Sequence, residues 1–225
     1  MTTPVMPARI AALPRDGKGR PVPWFVAWLD DDGHEATPDT GTPDFRIVAS
    51  GKLRDAIVGQ RCWVCGGILG QFKAFVIGPM CAVNRVSAEP PSHRDCAVYA
   101  AQACPFLTTP QMRRREGGKP ATVEPAGTMI RRNPGVALVW VTRSYQQIRD
   151  PQGGVLLRIG DPTETLWFAH GRPATRAEVT ASIDSGLPIL REMATQDGPK
   201  AVRALERQHA DALRLLPPAT VGTTA

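Results

Sequence analysis

The feature that most constrains this chain is a spacing. Cys62 and Cys65 form a C-x2-C pair that runs straight into Gly66-Gly67, and His93 and Cys96, with 27 residues between Cys65 and His93, form an H-x2-C pair. A structural zinc ion takes four tetrahedral nitrogen or sulfur ligands, and two close pairs let two chain segments each supply half of the shell. The glycines after the first pair allow the tight turn of a zinc knuckle, with its amides aimed at thiolate sulfurs. Ser92 and Asp95 stand at capping-box spacing ahead of an apolar stretch, which predicts a helix with His93 and Cys96 in its first turn and on one face. A knuckle, a β-hairpin and a helix that completes the shell is the treble-clef arrangement, so the expectation is one structural Zn2+ held by Cys62, Cys65, His93 and Cys96.

All five cysteines lie between positions 62 and 104. An odd number so clustered points to a metal site rather than a disulfide framework. Cys104 lies two helical turns beyond Cys96, out of reach of the same ion, and reads as a buried core thiol. Cys81 remains an alternative to one of the four ligands. The N-terminus lacks the charged start and apolar run of a secretory signal, and no segment approaches the ~18 apolar residues of a membrane span. The expectation is a cytoplasmic protein with no membrane partner.

A net charge of +6 and a pI near 9.4 favour an anionic partner such as nucleic acid. Against this, the cations are 22 Arg to 5 Lys in a chain rich in Ala, Gly and Pro, a composition that GC-rich coding also produces. The most basic stretch is a linker over 109–133, where Arg113, Arg114, Arg115, Lys119, Arg131 and Arg132 could meet phosphates or simply be solvated. Trp63, inside the knuckle, either stacks on a base or partner side chain or covers the metal site.

The coarse pattern is α+β. Val22–Leu29 and Asp44–Val48 read as strands, and a helix over Lys52–Val58 is capped by Ser50 with Leu53, Ile57 and Val58 inward. Phe72–Ile77 is a strand, and Ser92–Cys104 a helix stopped by Pro105. Val136–Val141 reads as a buried strand paired with Val155–Ile159 across the turn at Asp150–Gly154. After Pro162 the pattern turns helical: Thr175 and Glu178 open a helix that ends at Gly186, another spans Pro188–Thr195, and a last one spans Pro199–Leu216. The organisation is a zinc-binding α+β region over 9–108, the basic linker, and a hairpin with helices over 134–217, packed on the first as one unit.

Arg61-Cys62-Trp63-Val64-Cys65-Gly66, Phe75–Arg85, Glu89–Ala97, Ala103–Leu107 and Gly171–Val179 through Pro188 together resemble a family of bacterial and phage proteins. The likeness covers most of the chain. It implies that the two halves occur as one unit, and no activity comes with it.

Catalytic patterns fit poorly. An HNH-type nuclease, also built on a treble clef, needs a histidine near the end of its hairpin's first strand. Here Phe75–Met80 carries none, and Asn84 and Arg85 are the only polar candidates. The deaminase pattern, H-E-x-x-H, the thioredoxin context, G-x-G-x-x-G and the P-loop are all missing, so no nucleotide cofactor and no catalytic residue is assigned. His209 reads as a packed histidine, and His34 and His170 as exposed. The sequence therefore points to a zinc-stabilised binding module for a protein or nucleic acid. The alternatives are a degenerate HNH-like nuclease and a structural or assembly protein of phage origin.

Overall fold

The computed structural model describes residues 4–109, 134–150 and 153–219. Its elements in chain order are α1 (Ala8–Ala11), β1 (Val26–Leu29), β2 (Glu35–Ala36), β3 (Thr42–Val48), α2 (Lys52–Val58), β4 (Lys73–Ile77), α3 (Pro79–Asn84), β5 (Val86–Ser87), α4 (Arg94–Ala103) and α5 (Pro105–Thr108). They continue with β6 (Val136–Thr142), β7 (Tyr145–Arg149), β8 (Val155–Ile159), β9 (Pro162–Ala169), β10 (Arg172–Pro173), α6 (Arg176–Gln196) and α7 (Pro199–Leu213). The fold is a mixture of helices and antiparallel sheets, as the α+β reading expects. The linker cations Arg113, Arg114, Arg115, Lys119, Arg131 and Arg132 lie outside the described residues.

The centre is a four-stranded sheet in the order β10-β9-β6-β4. Strand β6 is buried at every position, because both of its faces are covered. Alternate side chains point to opposite sides of a strand. Val136, Leu138 and Trp140 therefore join Phe75, Ile77, Trp167 and Ala169 in a core shared with α3, α6 and α7. Val139 and Val141 point the other way, with Ala74 and Phe168, onto Ala97 and Ala101 of α4. Helix α4 thus covers one face and the other three helices cover the opposite one.

Several expectations give way to this sheet. Strand β6 pairs with β4 and β9, not with β8. The hairpin around Asp150–Gly154 is instead β7 on β8, because Tyr145–Arg149 is mostly polar and no residue in it is fully buried, while the apolar run of β6 needs two covered faces. Pro162–Ala169 is a strand rather than the start of helices, with Trp167 and Phe168 facing opposite layers. Helix α6 passes through Gly186 and Pro188 to Gln196 as one helix. Buried Gly186, Leu187 and Leu190 hold that stretch against the core, and packing overrides two helix-breaking residues. In α2, Ala56 and Ile57 are inward while Leu53 and Val58 are exposed. Gly51 takes its N-cap at φ +77°, and the Ser50 hydroxyl donates to Glu35 instead.

Candidate metal centre

The knuckle is built by backbone hydrogen bonds. Cys62 N–H donates to Gly67 O at 2.7 Å and Gly66 N–H to Cys62 O at 2.8 Å, while Arg61 and Ile68 pair across the loop. Gly66 sits at φ +72°, and a Cβ there would meet the Trp24 ring at 2.6 Å. Both facts favour glycine over any residue with a side chain. The loop is anchored from outside by Trp24 N–H on Val64 O and Trp63 N–H on Pro91 O.

The second pair is placed by the edge of the sheet. Ser92 and Ala74 exchange both backbone hydrogen bonds, at 2.7 and 2.9 Å, so Ser92 extends β4's edge and cannot cap α4. His93 is the N-cap residue and Cys96 the third helical position. Asp95 bonds the Cys96 N–H and pairs with Arg9 at 3.6 Å, so the expected capping box does not form. The segment between the pairs also departs from expectation. Strand β4 runs into α3 at Pro79 rather than turning back, so no hairpin joins knuckle to helix.

Cys62, Cys65, His93 and Cys96 nevertheless converge, their ligand atoms all within 4.8 Å of one another. Cys62 and Cys96 are fully buried among Ile10, Leu69, Leu13 and Tyr99, while Cys65 and His93 are partly exposed. The Cys62 sulfur accepts the backbone N–H groups of Cys65 at 3.4 Å and His93 at 3.3 Å. The His93 ring presents Nδ1 to the sulfurs of Cys65, at 3.4 Å, and Cys96, at 4.0 Å. Its Nε2 lies 2.9 Å from Ile68 O. A carbonyl oxygen only accepts, so Nε2 carries a proton, and Nδ1 is the ring nitrogen turned to the sulfurs.

Three thiols this close compete for charge. The Cys62 thiol is drawn down by hydrogen bonds from Cys65 and Cys96, with help from the two backbone amides. The Cys65 and Cys96 thiols are pushed up, first by Cys62. One thiolate thus forms at the expense of the other two, and a cation among them lets all three ionise. The donor set of three sulfurs and one imidazole can hold one metal ion.

Other sequence candidates are placed elsewhere. Cys81 is outside the cluster, on α3 against the core, its thiol pushed up to about 11 by burial and the charge of Glu89. Cys104 caps the end of α4 and is only partly buried. Trp63 does not offer a free ring. It is 5% exposed and stacked on Phe25, the residue just before β1, with centroids 4.5 Å apart. Asn84 and Arg85 are engaged in the fold: Asn84 accepts the Val86 N–H, and Arg85 pairs with Asp161 at 2.7 Å. Reading the sequence did not single out Asp30, Asp32 and His34, whose ligand atoms also lie close together. They form an exposed turn in which the Asp30 carboxylate already binds the Asp32 and His34 amides. No family model, curated protein or solved structure matches this chain.

Among the described residues, no helix is long and apolar enough to cross a membrane.

Proposed function

We propose that this chain is a zinc-stabilised, non-catalytic binding module of the cytoplasm, with a protein or a nucleic acid as its partner. The observation that carries the zinc assignment is the convergence of three cysteine sulfurs and the His93 Nδ1 within 4.8 Å. Soft thiolates with one imidazole suit zinc, and four protein donors fill its tetrahedral shell. A filled shell leaves no position for a substrate or an activated water, which is the mark of a structural site. The centre carries the knuckle and helix of a treble clef, with β4 committed to the central sheet in place of a hairpin.

Zinc's work in this reading is mechanical. It ties the knuckle, which also holds the Trp24-Phe25 lead into β1, to the N-terminus of α4, which covers one face of the central sheet. The resemblance to the bacterial and phage family supports a single unit of this kind. The engaged side chains of Asn84 and Arg85 weigh against the nuclease alternative. Metal analysis of the purified chain, with fluorescence anisotropy on DNA and RNA at low and physiological salt, tests the reading. One zinc per chain and no cleavage is the expected result. Binding that falls steeply with salt identifies a nucleic-acid partner, and its absence at low salt directs the search to proteins. Metal-dependent cleavage overturns the proposal.

A further inference from the structure

The two halves of the metal shell differ in their access to solvent. Cys62 and Cys96 are 0% exposed, and the Cys62 sulfur is covered by two backbone amides. Cys65 and His93 are partly exposed, and the residue beside both is a glycine. A Cβ on Gly67 would stand 3.5 Å from the Cys65 sulfur and 3.4 Å from His93 Cε1, with no positive φ to require glycine there. The missing side chain is a window onto one sulfur.

We propose that this window makes the centre a peroxide-responsive one: hydrogen peroxide or an organic hydroperoxide oxidises Cys65, a Cys62–Cys65 disulfide follows, and zinc is released. The inference rests on the zinc reading above. In the first step the Cys65 thiolate attacks a peroxide oxygen, the O–O bond breaks, and the departing hydroxide takes a proton to leave as water (an alcohol for an organic hydroperoxide). The product is a sulfenic acid. In the second step the Cys62 thiolate attacks the Cys65 sulfur, the S–S bond forms, and the S–O bond breaks to give a second water. Two thiolates lose two electrons, and one peroxide takes them up with two protons.

Cys62, rather than Cys96, is the resolving residue for a geometric reason. Closing to the ~2.05 Å of a disulfide requires one sulfur to move. Cys62 and Cys65 lie three positions apart at the two ends of one turn, with Gly66 and Gly67 directly after it, whereas Cys96 is held in the first turn of α4. The disulfide leaves only His93 and Cys96 as donors, half of the shell that zinc needs.

The test treats the zinc-loaded full chain with hydrogen peroxide and follows zinc with a chromogenic chelator. Peptide mapping by mass spectrometry then locates the disulfide. Expected are zinc release together with a Cys62–Cys65 disulfide and a free Cys96 thiol. Gly67→Ala should keep its zinc and slow release by roughly threefold, since thiol oxidation follows exposure. Equal release rates in the two proteins, a disulfide through Cys96, or zinc retained under excess peroxide overturns the inference. If Gly67→Ala fails to load zinc, the disulfide map of the unaltered chain decides. A chain that binds no zinc at the outset fails the site reading itself, which metal analysis before oxidation shows separately.

Discussion

The Nε2 nitrogen of His93 and the carbonyl oxygen of Ile68 stand 2.9 Å apart, linking the second ligand pair to the knuckle that carries the first. This contact does two jobs. It fixes the tautomer, so that Nδ1 is the nitrogen free to ligate, and it orients the ring over the cluster, the usual task of the outer partners of a metal-bound histidine. Because the Ile68 partner is a backbone oxygen and its side chain is 63% exposed, the contact survives any substitution at Ile68 that keeps the loop.

The tautomer is directly measurable. Long-range 1H–15N correlation spectra of the metal-loaded chain should show a proton on His93 Nε2 and metal ligation at Nδ1. A proton on Nδ1 instead would refute the geometry.

Cys96→Ser should strip the site. It removes a buried sulfur from a four-donor shell, so zinc affinity should fall by more than the ~10–100-fold typical of losing an outer partner. Metal binding is linked to folding: zinc at about 100 times its Kd stabilises by ~2.7 kcal/mol. A strong chelator should therefore lower the melting temperature of the unaltered chain and leave that of Cys96→Ser almost unmoved. Equal chelator sensitivity of the two proteins, or full metal content in the variant, would sink the assignment.

Gly66→Ala should damage the site without touching a ligand. The new Cβ would stand 2.6 Å from the Trp24 ring on a backbone at φ +72°, so either the knuckle opens or Trp24 leaves Lys52, whose ammonium lies 4.2 Å from the ring centre. The cost should be about 1–3 kcal/mol, within the range for a strained backbone position. Gly67→Ala, one residue on, meets only ordinary contacts and should melt with the unaltered protein. If calorimetry shows the same loss for both, the close packing on Trp24 is not what requires the glycine.

What the sequence shows of this molecule depends on how local the cause is. The cluster of Cys62, Cys65, His93 and Cys96 is legible because a metal shell demands donors of set type and spacing, and the capping box of Thr175 with Glu178 is legible because it is complete within four residues. The partner of β6 is not: its apolar run says that both faces are buried, but not that β4 and β9, rather than β8, flank it. The same blindness hid the fate of Ser92, which looks like a helix cap until the edge of β4 takes up its backbone. Pro188 within α6 misleads for the opposite reason. Its local cost is real, and burial of Leu187 and Leu190 on the far side of the sheet outweighs it.

The start of α6 should give the chain part of its acid sensitivity. Glu178 accepts the Thr175 N–H at 2.8 Å and pairs with Arg172 at 2.6 Å. Arg172, then the Thr175 amide, holds its carboxyl down to about 2, from an ordinary value of 4.5. A depressed carboxyl contributes its stability above the unfolded-state value and loses it as the pH falls from about 4.5 through about 2. The pair is largely solvated, so the contribution should stay near ~1 kcal/mol and shrink with salt. Glu178→Gln should therefore be less stable than the parent at neutral pH, and the gap between them should close as the pH falls toward about 2. Protonation of the metal ligands acts on both proteins alike, so the difference between their urea midpoints isolates Glu178. A gap that stays constant from neutral pH to about 2 would show that the carboxylate's charge contributes nothing, and that the capping hydrogen bonds alone set the start of the helix.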